Sequence, residues 1–89
     1  MARYETAVLE TAATGQGNSA GDIFFQLGIM FSAGAGEAMD RIAAHKWFNL
    51  AALKGRADAL PMRREVAEMM SDAEIATAQR EARTWMTTH

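Results

Sequence analysis

The chain has 89 residues, of which 49% are hydrophobic and 22% are charged, and this composition is typical of one small folded domain. It contains no cysteine, which excludes disulfides, thiolate nucleophiles and sulfur-ligated zinc and fits a reducing, cytoplasmic compartment. Its formal net charge of -2 argues against general binding to nucleic acid or to anionic membranes, because both require a surplus of Lys and Arg.

Helices are the only regular structure that the residue pattern predicts. Alanine, leucine, methionine and glutamate dominate between glycine-marked breaks, and no run of alternating β-branched residues occurs. The first and weakest helix is predicted over residues 3–14, before the turn-rich GQGNS. Glu5 and Glu10 flank its only apolar run, and no later segment reaches the length of a membrane span, so we expect neither a signal peptide nor insertion into a membrane.

A second helix is predicted from Ser19 to about Ala33. Ser19 and Asp22 have the spacing of a capping box, in which the hydroxyl accepts from an early backbone N–H and the carboxylate lies at the positive end of the helix dipole. The apolar residues fall on one helix face: Ile23, Leu27, Met30 and Phe31. Gly34 and Gly36 are expected to end the helix, because glycine tolerates the left-handed conformation common at helix C-termini.

A third helix is predicted between Asp40 and Gly55. The carboxylate of Asp40 suits the cap position at its start, and Gly55 is a strong signal for its end. The apolar residues of this helix recur at i, i+3, i+4 and i+7: Ala44, Trp47, Phe48 and Ala51. The second and third helices are therefore expected to form an antiparallel hairpin over residues 19–58.

The remaining part, residues 59–89, is predicted to hold two helices. Asp58 is expected to cap the first, with Pro61 in its first turn, and Ser71 with Glu74 makes a second capping box at the start of the other. The apolar stripes are Met62, Val66, Met69 and Met70 in one helix and Ile75, Ala78, Ala82, Trp85 and Met86 in the other. We expect one all-α domain of about five short helices, of which the last caps the C-terminal end.

The stretch LGIMFSAGAGEAMDRIAAHKWFNLAALKGRADA, residues 27–59, carries a nearly complete repeat motif. A leucine-glycine pair is followed by an aromatic residue, a G-x-G turn, an aspartate and an alanine-rich helix with a tryptophan-aromatic pair. The residues that supply this pattern are Leu27, Gly28, Phe31, Gly34, Gly36, Asp40, Ala44, Trp47, Phe48, Ala51, Ala52 and Gly55. In this order they resemble the Sel-one-like repeat, a tetratricopeptide-like helical hairpin, over residues 23–59.

The resemblance implies a short right-handed stack of αα-hairpins that acts as an adaptor for another protein, often in bacterial regulatory or assembly complexes. Helix packing then explains the presence of Gly28. A mid-helix glycine costs about 1 kcal/mol of helix stability relative to alanine, and close approach of a neighbouring helix compensates for this cost. Trp47 and Phe48 are expected to fill the volume between hairpins. Since one repeat is too few to bury a continuous core, we expect self-association or a stable complex with a partner subunit through the N-terminal half.

No group of residues in the sequence is typical of an enzyme. His45 is the only internal histidine and is interpreted as a solvated residue on a helix face, since no Cys/His cluster, HExxH motif or calcium loop accompanies it. The GAG turn lacks the preceding strand and the lysine of a phosphate-binding loop. We therefore expect no catalytic residue, no metal site and no cofactor.

The function that the sequence favours is a non-catalytic protein–protein interaction module, either an adaptor or a small accessory subunit. Two roles are open to Phe24: an aromatic anchor in a partner interface, or a core residue packed on the N-terminal helix. A second candidate surface is the basic face around Arg56, Arg63 and Arg64. The alternative function is a small all-α nucleic-acid-binding regulator that uses the basic segment 41–64, although the helix in that segment consists largely of Ala, Trp, Phe and Leu.

Overall fold

The computed structural model describes residues 19–34 and 39–89, and the regular structure in these ranges is entirely helical. Its helices are α1 (Ala20–Ala33), α2 (Arg41–Leu53), α3 (Ala59–Ala67) and α4 (Asp72–Thr88). The all-α prediction is thus confirmed for the described residues. The helix predicted over residues 3–14 lies outside them, as does Gly36, so the total of five helices stays a prediction. None of the described helices combines the length and the apolar character that crossing a membrane requires.

Three of the four predicted helix caps are confirmed. Asp22 donates its backbone N–H to the hydroxyl of Ser19 at 3.1 Å, and Ser19 donates its own to the Asp22 carboxylate. Ser71 forms the same reciprocal pair at the start of α4, and Asp40 accepts from the third residue of α2 at 3.0 Å. These bonds satisfy backbone N–H groups that the helices leave without a partner in their first turns.

The prediction that the Asp58 side chain caps α3 is wrong. Asp58 does precede the helix, but its backbone is already helical, at φ -70 and ψ -6, and its side chain makes no capping bond. The carboxylate instead accepts two hydrogen bonds from Arg56. Because a capping side chain contributes about 1 kcal/mol, α3 begins with less local stabilisation than the other helices.

The two glycine-marked helix ends differ in their geometry. Gly55, after α2, has a φ of 98°, in the region that favours glycine. Gly55 and Arg56 donate their backbone N–H groups to the carbonyls of Ala52 and Ala51, both at 3.0 Å, in the pattern of a Schellman motif. Gly34 ends α1 as predicted, but in an extended conformation with a φ of -63°, so the left-handed prediction is wrong there.

The extended exit from α1 leaves terminal carbonyls in need of donors. The backbone N–H of Asp40, just before α2, donates to the carbonyl of Phe31 at 3.0 Å. The returning chain therefore satisfies an acceptor that a left-handed glycine would otherwise have served.

Helix α2 is the centre of the described fold, because α1, α3 and α4 each pack against it and have few direct contacts with one another. Its side chains are consequently buried around most of the helix: Ala44, His45, Trp47, Phe48, Leu50 and Ala51. Glu74 lies beside Asp40 at one end of the α2–α4 contact and Met86 beside Leu53 at the other, so α4 runs in the same direction as α2. The short α3 makes the return between them.

Close packing at Gly28 is confirmed. A Cβ atom built on Gly28 would lie 2.5 Å from two ring carbons of Phe48 on α2, a separation that real Cβ atoms do not tolerate. Trp47 and Phe48 are both completely buried, but the Phe48 ring lies within the α1–α2 contact, so a filling role between hairpins stays a prediction. The glycine thus admits an aromatic ring into the α1–α2 interface.

The predicted apolar stripes include residues that are not buried in the structure. Ile23, Leu27 and Phe31 are buried on α1, and Val66 is buried on α3, but Met30 and Met69 are exposed. Met69 lies beyond the end of α3 at Ala67, where the helical period no longer applies. Met30 lies on a side of α1 that α2 does not cover.

Candidate partner-binding surface

Arg56, predicted as part of a basic partner-binding face, is engaged within the molecule. Its Nη1 donates to Asp22 at the start of α1 at 2.9 Å, and its Nε and Nη2 donate to Asp58 at 2.6 and 3.1 Å. The guanidinium carbon also lies 4.0 Å from the ring centroid of Phe25 on α1, in a cation–π contact. Arg56 therefore ties the start of α1 to the turn between α2 and α3.

The three charges of this cluster support one another. The hydrogen bonds from Arg56 lower the pKa of the Asp58 carboxyl and raise that of the guanidinium itself. The pKa of Asp22 is also lowered, first by its bond with the Ser19 backbone N–H and then by the Ser19 hydroxyl and Arg56. With two carboxylates on one guanidinium the cluster has a net negative charge at neutral pH, so it does not present a basic surface to a partner.

The side chains of Arg63 and Arg64 differ in their exposure to solvent. Arg63 donates from Nη1 to the side-chain oxygen of Asn49 on α2 at 2.6 Å and is half-buried. Arg64 is exposed in the last turn of α3. Of the three predicted basic residues, only Arg64 thus presents a side chain that is neither half-buried nor bonded to another part of the described chain.

Phe24 lies in the core. It is only 2% exposed, and its ring lies 5.4 Å from that of Trp47 and 5.1 Å from that of Trp85, measured between centroids. This placement agrees with the core alternative, and the described packing partners are on α2 and α4; the N-terminal helix named in that alternative lies outside the described residues. Phe24 joins α1 to the C-terminal half of α4 and offers no surface to a partner in this conformation.

The most exposed large apolar side chain of the described residues belongs to Leu53, which is 64% exposed at the end of α2. Leu53 lines a surface depression of about 340 Å³ between α2 and α4, here called the α2–α4 groove. Met86, on the α4 side, is 40% exposed, and Ala82, one turn earlier, is almost completely buried at its floor. The other lining residues are Asn49, Arg83 and Thr87.

Local sequence explains why this groove is open. The Schellman motif at Gly55 turns the chain away directly after Leu53, so the chain that follows does not fold back over this side chain. On α4 the small residue Ala82 permits close approach to α2, and Met86, four residues later on the same face, extends past the contact. The result is an apolar surface with polar and charged residues at its edge.

A second depression, of about 510 Å³, lies along α1 and is lined by Phe25, Gln26, Ile29, Met30 and Arg56. Its apolar side chains are less exposed than Leu53, and the guanidinium of Arg56 already covers the ring of Phe25. The α2–α4 groove is therefore the stronger candidate for an apolar contact with another molecule.

The interpretation of His45 as a solvated residue is wrong. His45 is 3% exposed, and its Nδ1 has no hydrogen-bond partner among the described residues. Burial, and then the nearby charge of Arg63, lower the pKa of the imidazole, so the ring is neutral at neutral pH. The burial follows from α2 being enclosed by three helices, which makes its covered face wider than the four-residue stripe predicted.

No cluster of three or more metal-ligating side chains occurs within residues 19–34 and 39–89. Three of the charged residues that line the remaining depressions have structural roles: Asp40 caps α2, Glu74 caps α4, and Lys46 lies over the ring of Trp47. These contacts account for each of the three charges by its part in the fold.

Sequence reasoning missed Leu53 and Met86 as functional candidates. Leu53 falls outside the stripe of its helix and stands two residues before the glycine stop, and this combination is a signal that could have identified it. No family model, curated protein or solved structure matches this chain.

Proposed function

We propose that this chain is a non-catalytic protein–protein interaction module, an adaptor or a small accessory subunit, that binds a partner protein through the α2–α4 groove. The observation that carries the proposal is the exposure of Leu53 beside Met86 over the buried Ala82. Neighbouring apolar side chains that a small domain leaves in water are typical of protein-binding surfaces.

The energetics of the groove suit a contact with one or two anchor side chains. Complete burial of a leucine or methionine side chain contributes roughly 1.5–3 kcal/mol relative to full exposure, and both groove residues are still partly exposed. Arg83, Asn49 and Thr87 supply the polar edge that surrounds the apolar centre of most interfaces. An amphipathic helix that places apolar residues between α2 and α4 is the simplest partner element.

The resemblance to Sel-one-like repeats supports the same class of function. The antiparallel α1–α2 hairpin, the glycine at the helix contact and the buried tryptophan-aromatic pair have the features that a right-handed hairpin stack uses. In this proposal the module acts in the bacterial cytoplasm, and the partner is another protein or a second copy of the chain. The alternative of nucleic-acid binding is less favoured, because the guanidinium groups of Arg56 and Arg63 donate hydrogen bonds within the described residues.

Partner capture with groove variants tests the proposal. The tagged full chain, recovered from its native host, is expected to retain a stoichiometric protein partner, or to self-associate by light scattering. Leu53→Ser should abolish that association with little change in the melting temperature, because the side chain is exposed.

The matched control is Met69→Ser, which alters a side chain of similar exposure in the turn between α3 and α4. It is expected to leave association intact. Equal retention of the partner by the Leu53 and Met69 variants, or a strictly monomeric chain without any partner, would show that the groove is not the binding surface.

A further inference from the structure

His45 is a buried titratable side chain that the proposed function does not use. It lies on α2, is 3% exposed, and leaves its Nδ1 without a hydrogen-bond partner among the described residues. Buried polar atoms are nearly always partnered in folded proteins. A proton added to this ring would place a charged imidazolium in a buried site that already leaves one nitrogen of the neutral ring without a hydrogen bond.

The charge that acts on His45 comes from α3. Arg63 of α3 donates to Asn49 at 2.6 Å, and Asn49 lies four residues after His45 on α2, so the guanidinium is held on the same side of the helix as the imidazole. Arg63 is the charged group of the described residues whose field acts on His45. Protonation would therefore bring a second positive charge into a contact that already contains one.

The charged groups on the other faces of α2 offer no compensation. Asp22 of α1 is bonded to Arg56, and Glu74 of α4 is bonded to the backbone of Ser71. The remaining charges of the helices around His45 are exposed or lie over another ring: Arg41, Lys46, Arg64, Glu65, Glu68, Asp72, Arg80, Glu81 and Arg83. No carboxylate of the described residues forms an ion pair with His45.

Helix α3 is the shortest described helix. It has nine residues, buries only Ala59 and Val66, and begins without a side-chain capping bond. It packs on α2 and has few contacts with α1 or α4. Short helices depend on tertiary packing for their stability, so separation of α3 from α2 is a local opening that would bring water to the side of α2 that carries His45 and Asn49.

We propose that the α2–α3 contact is an acid-sensitive switch, in which protonation of His45 beside Arg63 releases α3 from α2. The sign follows from linkage, because the buried imidazole has a pKa below the ordinary value of 6.5. The open form, in which the ring is hydrated, binds the proton at about 6.5. Acidification below that value favours opening by up to about tenfold per pH unit, until the lowered pKa of the closed form is passed.

Amide hydrogen exchange of the full chain between pH 7.5 and pH 5 tests the proposal. After correction for the intrinsic pH dependence of exchange, opening at the α3 amides is expected to increase severalfold to more than tenfold, while amides of the α1–α2 contact change little. In parallel, the NMR titration of His45 should have a midpoint below the ordinary imidazole value of 6.5.

Matched variants identify the responsible group. His45→Leu should remove the pH dependence at α3, and His89→Gln, which removes the other imidazole, should retain it. Should His45→Leu fail to fold, His45→Gln provides a second non-titrating side chain. An unchanged pH profile in the His45 variants, or equal acceleration of exchange in all four helices, would overturn the proposal, because either result places the acid response elsewhere.

Discussion

At Gly28 the space that a side chain would occupy is filled by the ring of Phe48 from the facing helix. A Cβ atom there would lie 2.5 Å from the ring, and Phe48 is itself completely buried. Close-packed interiors leave few gaps, so a buried ring has little room to move away from an added side chain. The closer contact between the two helices therefore offsets the unfavourable helix propensity of the glycine.

Gly28→Ala and Gly28→Leu are expected to destabilise the fold although both improve helix propensity. Overpacking costs roughly 1–3 kcal/mol and exceeds the propensity gain of about 1 kcal/mol, with the larger loss for leucine. Urea unfolding measures the difference. In a Phe48→Leu background the Gly28→Ala change should cost less, because the ring that it meets is gone. A Gly28→Ala variant as stable as the parent would show that the helices do not cross closely here.

Gly55 is required for a different physical reason. It has a φ of 98°, yet nothing lies within 4 Å of the position that its Cβ would occupy. We therefore expect Gly55→Ala to cost about 1–2 kcal/mol through backbone strain alone, and Gly55→Asn to cost less, because asparagine adopts left-handed conformations more readily. Thermal unfolding of both variants checks this order. Equal stability of the alanine and asparagine variants would contradict the strain argument.

Among the elements, α1 and α3 have few direct contacts and are joined through Arg56. Arg56 lies in the turn before α3, binds Asp22 at the start of α1, and holds Asp58 immediately before α3. Asp58 consequently serves as an acceptor for the arginine and not as a helix cap. One side chain thus fixes the relative position of two helix starts, and the capping bond at α3 is absent as a result.

The loss of stability in acid is expected to depend on the ion pairs of Arg56. The pKa values of Asp22 and Asp58 are lowered in the folded chain, so their contribution is complete above their ordinary value of 3.8 and is lost as the pH falls through the lowered values. Arg56→Met removes part of that lowering. The variant should melt below the parent at pH 7, and the difference should shrink toward pH 2.

The control is Arg64→Met, which removes an exposed arginine from α3. Its difference in melting temperature from the parent should be small and nearly the same at both pH values. A constant difference between the Arg56 variant and the parent from pH 7 to pH 2 would mean that the ion pairs contribute nothing to acid stability.

For the whole molecule, the position of α2 explains which features the sequence predicts and which it does not. The caps at Ser19, Asp40 and Ser71 and the stop at Gly55 depend on bonds within a few residues, so local pattern identifies them. The contact at Gly28 was predicted from the repeat resemblance together with the cost of a mid-helix glycine.

Features that depend on distant residues could not be predicted in this way. Arg56 meets Asp22 across 34 positions of the chain, and the burial of His45 requires three helices to enclose α2. The exposure of Leu53 has a local signal, but the groove that it forms with Met86 depends on how α4 packs on α2. The candidate groove and the acid-sensitive contact follow from this arrangement, and helical periodicity alone does not specify it.

The central place of α2 also has a consequence for the kinetics of folding. Its contacts with α1 and α3 join helices that are adjacent in sequence, so they close short loops at a small entropic cost. The contact of Trp85 with Phe24 spans a much longer part of the chain and requires α1 and α2 to be in place. Folding rates depend on such sequence separations, so the α1–α2 pair is expected to act as the nucleus and the C-terminal half of α4 to dock last.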